Sequence, residues 1–221
     1  IALGDADGDG DPDIVVANYD DNFATIMLND GAGGFTTSSL PLPAFYAYRI
    51  AIGDLDGVNG PDIIFAHIDI NTLSLHMNNG DGTFTAGDVI TTGFDFPGGV
   101  GIGDLDGQNG NDFMVSGIPF SWDQYLNNGD GTWTQESTGA GGSYTFQACI
   151  ADIDEDGTND VGLAHRWSGG ACSFYLNLGD ATYVGETRGT GGYATEQIGF
   201  AQLDGEPGLE MIALNQADDG P

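Results

Sequence analysis

One ten-residue segment recurs along the chain at almost constant spacing, and no other feature restricts the fold as tightly. Gly4-Asp5-Ala6-Asp7-Gly8-Asp9-Gly10-Asp11-Pro12-Asp13 is echoed from Gly53 to Asp62, from Gly103 to Asp112, from Ala151 to Asp160 and, in worn form, from Ala201 to Glu210. The first residues of successive copies lie 49, 50, 48 and 50 positions apart. A second motif follows each of the first four copies. It reads Leu28-Asn29-Asp30-Gly31, then Met77-Asn78-Asn79-Gly80-Asp81-Gly82-Thr83-Phe84, then Leu126-Asn127-Asn128-Gly129-Asp130-Gly131-Thr132-Trp133, then Leu176-Asn177-Leu178-Gly179-Asp180. A fixed period of this length means one supersecondary unit used repeatedly. The units run approximately over 1–47, 48–97, 98–146, 147–196 and 197–221.

Each unit divides into four short apolar runs. In the second they are Tyr48 to Ile52, Asp62 to His67, Leu73 to Asn78 and Phe84 to Ile90, separated by Gly, Asn and Asp. Runs this short, rich in Val, Ile, Leu and Phe, predict an antiparallel meander whose Asn-Gly and Asp-Gly pairs make the hairpin turns. No helical period of useful length is present. The expected fold is therefore all-β, a β-propeller of four-stranded antiparallel blades, in which neighbouring blades cover both faces of each sheet. Ile14-Val15-Val16, Ile63-Ile64-Phe65 and Phe113-Met114-Val115 suit strands covered on both sides. A β-solenoid is the second choice and would need a shorter coil. Five first half-blades but only four second halves are visible, which leaves the unit 197–221 without its outer strands. The chain is then expected to be part of a longer propeller, or to have that edge completed by another chain, because unpaired strand edges attract partners.

In the first loop Asp5, Asp7, Asp9, Asp11 and Asp13 alternate with small residues. Calcium takes six to eight hard oxygens, and an Asp-x-Asp-x-Asp-Gly turn curls its carboxylates around one point while the seventh position offers its carbonyl. The twelfth position is Val16 where an EF-hand needs a bidentate Glu, and strands flank the loop. Zinc would want His and Cys, and so many carboxylates overfill the small magnesium octahedron. The expected ligands are Asp5, Asp7, Asp9, Asp11 and Asp13 in the first loop, and Asp152, Asp154, Asp156, Thr158 and Asp160 in the fourth. The second loop offers Asp54, Asp56, Val58, Gly60 and Asp62, and the third Asp104, Asp106, Gln108, Gly110 and Asp112. Val58 and Gln108 stand where an Asp would sit, so loops one and four are expected to bind best. About four calcium sites are expected, with the fifth loop, 202–210, weak or empty because it offers Gln202, Asp204, Glu206 and Glu210.

Composition follows the loops. Of 34 acidic residues 28 are Asp, and 16 of those lie in the five loops, whereas a halophilic surface would scatter its carboxylates and recruit Glu as well. With three Arg and no Lys the formal charge is −31, which excludes nucleic acid and anionic membrane as partners. No apolar run reaches the roughly 18 residues of a spanning helix, so no membrane insertion is expected. Chain opening at Ile1 without a signal-peptide pattern reads as a processed product or a slice of something longer.

The Gly-Asp-Leu-Asp-Gly loops paired with Asn-Asn-Gly-Asp-Gly-Thr-Phe turns resemble FG-GAP and VCBS repeats, the calcium-loop blades of integrin α-subunit propellers and of many microbial surface proteins. The resemblance covers nearly the whole chain. It implies that each loop joins the first two strands of a blade and holds calcium at one propeller face. Val58, Gln108 and the whole fifth loop depart from that pattern.

The remaining connections and interblade stretches gather aromatics, including Phe45, Tyr46, Tyr48, Phe94, Phe96, Tyr144 and Tyr193. A possible ligand face is expected there from Tyr46, Tyr48, His67, Phe94, His165, Arg166 and Trp167, since rings beside polar groups serve both sugars and protein partners. The same rings would equally serve to wedge blades together. No nucleophile elbow, zincin helix or phosphate loop is present, and no enzyme activity is expected. Cys149 and Cys172 are two strand spacings apart in one sheet, beyond disulfide reach if flatly paired, although an oxidising setting favours a bridge. The expected role is a calcium-binding extracellular or cell-surface module for structural or adhesive assembly, with a protein partner or a second copy at the incomplete blade. A carbohydrate-binding propeller, or the non-catalytic propeller of a larger secreted enzyme, is the alternative.

Overall fold

The computed structural model describes all residues except 119–120, 141–144, 167–170, 191–193, 205–208 and 217–221, together with the side chains of 138–140 and 216. The chain divides into two compact units, Ile1–Val100 and Gly101–Pro221.

The first unit holds two four-stranded antiparallel meanders. One consists of β1 (Ala2–Gly4), β2 (Asp13–Ala17), β3 (Phe23–Asn29) and β4 (Phe35–Pro41), the other of β5 (Ala47–Gly53), β6 (Asp62–His67), β7 (Thr72–Asn78) and β8 (Phe84–Thr91), each in sequence order. The four runs read in the second repeat match β5 to β8 within a residue or so at each end. Further along, β9 (Phe96–Gly103), in which the division between the units falls, joins β10 (Asp112–Ile118), β11 (Ser121–Asn127) and β12 (Trp133–Ala140). Then come β13 (Thr145–Ala151), β14 (Asp160–His165), β15 (Ala171–Asn177) and β16 (Tyr183–Gly189), and a pair, β17 (Ala194–Ala201) with β18 (Glu210–Gln216). Among the described residues there is no helix, and none that is long and apolar enough to cross a membrane.

Burial grades across each sheet as composition dictates. Every residue of β6 and β14 is buried, so the continuous apolar runs there are covered on both faces. The fourth strands are mostly exposed, and β4 carries Thr36, Thr37, Ser38 and Ser39 in a row, which blunts that outer edge with polar side chains. Between the first two sheets lies a core of Val15, Ala24, Ile26, Leu40, Ile63 and Phe65. In the second unit Met114 and Trp122 pack against Ala148, Val161 and Leu163, and Phe174 and Cys172 pack against Ile198.

Register explains why the two motifs travel together. The aspartate loop closes the first hairpin of each sheet at the pairs Gly4–Asp13, Gly53–Asp62 and Ala151–Asp160. The Asn-Gly turn closes the third hairpin at Asn29–Phe35, Asn78–Phe84, Asn127–Trp133 and Asn177–Tyr183. In an antiparallel meander the first and third connections fall at the same end of the sheet. The two motifs, some 20 residues apart in sequence, are therefore neighbours in space.

Candidate metal centres

Among the described residues four groups of three carboxylates come together, one in each four-stranded sheet: Asp5, Asp7 and Asp13; Asp54, Asp56 and Asp62; Asp104, Asp106 and Asp112; Asp152, Asp154 and Asp160. In each group one oxygen per residue lies within 4.8 Å of the others. Oxygens bound to one calcium at about 2.3–2.6 Å stand no more than about 5 Å apart, so the separation and the all-oxygen donor set both fit that ion.

The third member of each group is fully buried and opens the second strand. Its carboxylate accepts two backbone N–H bonds. Asp62 takes Leu55 N–H at 2.7 Å and Asn78 N–H at 2.8 Å. Asp13 does the same with Ala6 and Asn29, Asp112 with Leu105 and Asn127, and Asp160 with Ile153 and Asn177, all at 2.7–2.8 Å. These residues thus clip the loop to the end of the third strand, and each carboxylate oxygen keeps a second lone pair for a cation. Burial pushes Asp62 and Asp112 up to about 6 against the pull of those donors, and raises Asp160 as well. The neighbouring carboxylates of the same loops add to the rise. A divalent ion would hold them ionised.

The first and third loop positions fold the turn around the group. Asp5 accepts from Gly8 and Gly10, Asp54 from Gly57, and Asp104 from Gly107. Asp9 and Asp156, expected as ligands, have side chains outside the four groups. They accept the N–H of Asp11 and of Thr158, two residues on, at 2.9 Å each. Their positions correspond to Val58 and Gln108, so all four groups are built from carboxylates at the same three loop positions. Asp11, Gly60, Gly110 and Thr158, expected to act through carbonyls, occupy the seventh position. Gly60 and Gly110 have φ of +94° and +100°, which an L side chain rarely adopts. In the fifth loop Glu210 keeps the bond within the loop, accepting Leu203 N–H at 2.6 Å. Among the described residues no fifth group forms, and Glu206 lies outside them.

Sequence reasoning read the second motif only as a turn and missed what its first Asn does. Asn78 Nδ2 donates to Pro61 O within its own sheet and to Ala6 O of the preceding one, at 3.0 and 3.1 Å, while its Oδ1 accepts Gly80 N–H. Asn177 repeats this with Asn159 O and Leu105 O, at 2.9 and 2.7 Å, and Gly179 N–H. The signal available was the Asn itself, present in all four copies. The Gly two positions later makes room for the loop: a Cβ on Gly31 would strike the Asp11 carboxylate, and on Gly80 and Gly129 it would crowd Asn59 and Asn109.

The expected ligand face is only partly accessible. His67 and His165 are fully buried and Phe94 nearly so. His67 bonds Ser74, which also bonds His76, at 2.9 and 3.2 Å, and His165 bonds Ser173 at 2.8 Å. Burial lowers both His76 and His165 to about 4 and lowers His67 as well. Arg166 stacks over Phe146 and pairs with Glu196 at 3.2 Å. Tyr46 is exposed and Tyr48 half-buried. Trp167, Tyr144 and Tyr193 lie outside the described residues. Cys149 and Cys172 are free thiols in one apolar cluster, and burial pushes Cys149 up to about 12.

Residues 5–57, which contain the first two aspartate loops up to Gly57, match the FG-GAP-like repeat. A search of curated proteins finds no sequence match. Among solved structures the chain is similar to one in the crystal structure of BBS1N in complex with ARL6DN, soaked with mercury, at TM-score 0.65 and 16% identity, over 93% of this chain and 54% of that one. A second, of the same complex soaked with lead, gives TM-score 0.51 and 13% identity over 96% and 73%. The chain thus spans about half the length of the first of these. At such identities the likeness speaks for the fold, which is β-propeller-like. The chain is an all-β array of propeller-type blades, and its residues 5–57 carry an FG-GAP-like repeat.

Proposed function

We propose that this chain is a calcium-binding interaction module of a cell surface or extracellular assembly, acting by binding rather than by catalysis. The observation that carries the reading is the fourfold recurrence of three carboxylates with oxygens within 4.8 Å. Repeated concentration of negative charge at one end of every four-stranded sheet is costly unless a cation offsets it, and millimolar calcium is an extracellular condition. The bound ion would tie the first hairpin to the third strand through the buried aspartates, stiffening the loop end of each blade for contact with a protein partner or a second copy. The presence of BBS1N in a complex with a protein supports an interaction role for blades of this kind.

The test is thermal unfolding of the chain with millimolar calcium and after chelation, alongside calorimetric titration of the metal-free protein. Calcium should raise the melting temperature, with about four ions bound. An unchanged melting temperature and no heat of binding would overturn the proposal. Negative-stain microscopy under the same two conditions tests the assembly: particles joined in calcium should separate on chelation.

A further inference from the structure

At the end of the first two sheets away from the aspartate loops lies a patch of exposed rings. Tyr19, Phe45 and Tyr46 expose 45%, 47% and 40% of their surfaces. The ring centroids of Tyr19 and Tyr46 are 5.0 Å apart and those of Phe45 and Tyr46 6.4 Å, and Tyr48 extends the group 6.3 Å from Tyr19. Three segments are tied together beneath them. Tyr46 N–H donates to Tyr19 O at 2.8 Å, Ile68 N–H donates to Tyr46 O at 3.2 Å, and Leu42 N–H donates to Asn22 O at 2.8 Å. Tyr46 has a φ of 53°, in the left-handed region that an aromatic residue seldom occupies. Bonds on both sides of the residue hold it there and keep its ring at the surface. A contiguous exposed aromatic patch with a polar rim marks an interaction site.

The rim specifies the partner. Asp20 and Asp21 follow Tyr19 in its turn and Asp69 follows Ile68, all three exposed. Residues 1–100 contain 15 Asp and no Glu against one Arg. The chain places its own cations on rings: Arg49 lies over Tyr48 at 4.2 Å, Arg166 over Phe146 at 4.7 Å and Arg188 over Phe174 at 5.8 Å. We propose that Tyr19, Phe45 and Tyr46, rimmed by Asp20, Asp21 and Asp69, dock a basic polypeptide segment whose arginines stack on the rings while the carboxylates hold their charge. A neutral sugar would use the rings but gain nothing from the carboxylate rim, so charge complementarity favours the cationic peptide. This surface is independent of the calcium reading.

Binding of a nona-arginine peptide to the full chain, in saturating calcium and about 0.15 M salt, is measured by fluorescence anisotropy beside a glutamine counterpart. Tyr19→Ala and Tyr46→Gly should each weaken the arginine peptide about tenfold at unchanged melting temperature, glycine preserving the positive φ. Asp20→Asn with Asp21→Asn should weaken it and flatten its salt dependence. Phe45→Ala, whose backbone is unstrained, supplies the same reading should Tyr46→Gly disturb folding. Peptide affinity indifferent to loss of the rings would show attraction by bulk charge alone and overturn the proposal. So would binding of cellohexaose that is lost in the ring variants while the peptide is unaffected.

Discussion

Buried histidines make the acid response of this protein calculable at single positions. His76 and His165 are held neutral by burial at about 4, against about 6.5 in an unfolded chain. Between those values the unfolded state binds more protons, so the contribution of each is complete above pH 6.5 and is lost as pH falls toward 4. The full difference is about 3 kcal/mol for each histidine. Denaturant unfolding in saturating calcium at pH 7 and pH 5 should show a loss that shrinks in His76→Leu, and an identical loss in the variant would exclude this cause. Raised carboxylates such as Asp62 act in the opposite sense in metal-free protein, which is why calcium is kept saturating. Residue-level geometry also separates the loop positions. Asp56→Asn should weaken calcium binding at the second loop, whereas Val58→Asp, at the position where Asp9 of the first loop stands outside its carboxylate group, should change it little. Equal effects of the two, read by calorimetry, would contradict the grouping.

At the scale of the element, the hairpin ends are coupled by side chains rather than by the strand ladder. Asn78 satisfies Pro61 O and Ala6 O and receives Gly80 N–H, so one side chain ties a turn, its own loop and the preceding sheet. Asn78→Ala leaves these groups without that partner and should cost about 2–4 kcal/mol of stability. Asn79→Ala, at an exposed position in the same turn, is the control and should cost well under half as much; comparable losses in urea unfolding would show that Asn78 acts only as a turn residue. The strands themselves follow the sequence closely because their ends are punctuated by Gly, Asn and Asp. The loops resist that reading. Their backbone turns at Gly8 and Gly10 in the first but at Gly57, Asn59 and Gly60 in the second, so one motif is realised in two conformations.

Across the whole molecule the dominant fact is a charge of −31 concentrated in repeats. Four divalent ions would bring it to −23, and without them the loops repel one another across distances that salt screens within about 8–10 Å. The metal-free protein should therefore gain melting temperature as sodium chloride rises from low to physiological strength, and the calcium-saturated protein should gain less. Equal salt dependence in the two states would show that the loops are not the seat of the repulsion. The blade array also explains how such a chain folds at all. The first two sheets bury a continuous apolar centre against each other, Val15 and Ile26 against Ile63 and Phe65, while the carboxylates stay at the loop ends.

Sequence alone determined the period, the all-β meander, the strand positions and the alternating aspartates of the loops, because spacing and turn chemistry are local properties that repeat in register. Tertiary structure decided the rest. It left Asp9 and Asp156 outside the four carboxylate groups and buried His67, Phe94 and His165. It gave Asn78 and Asn177 their ties to the preceding sheet. It also gathered Tyr19, Phe45 and Tyr46 from two connections into one exposed patch. Each of these depends on which side chain a neighbouring sheet or turn brings within reach, and contacts across 72 positions, such as Asn78 with Ala6, leave no local trace in the order of residues.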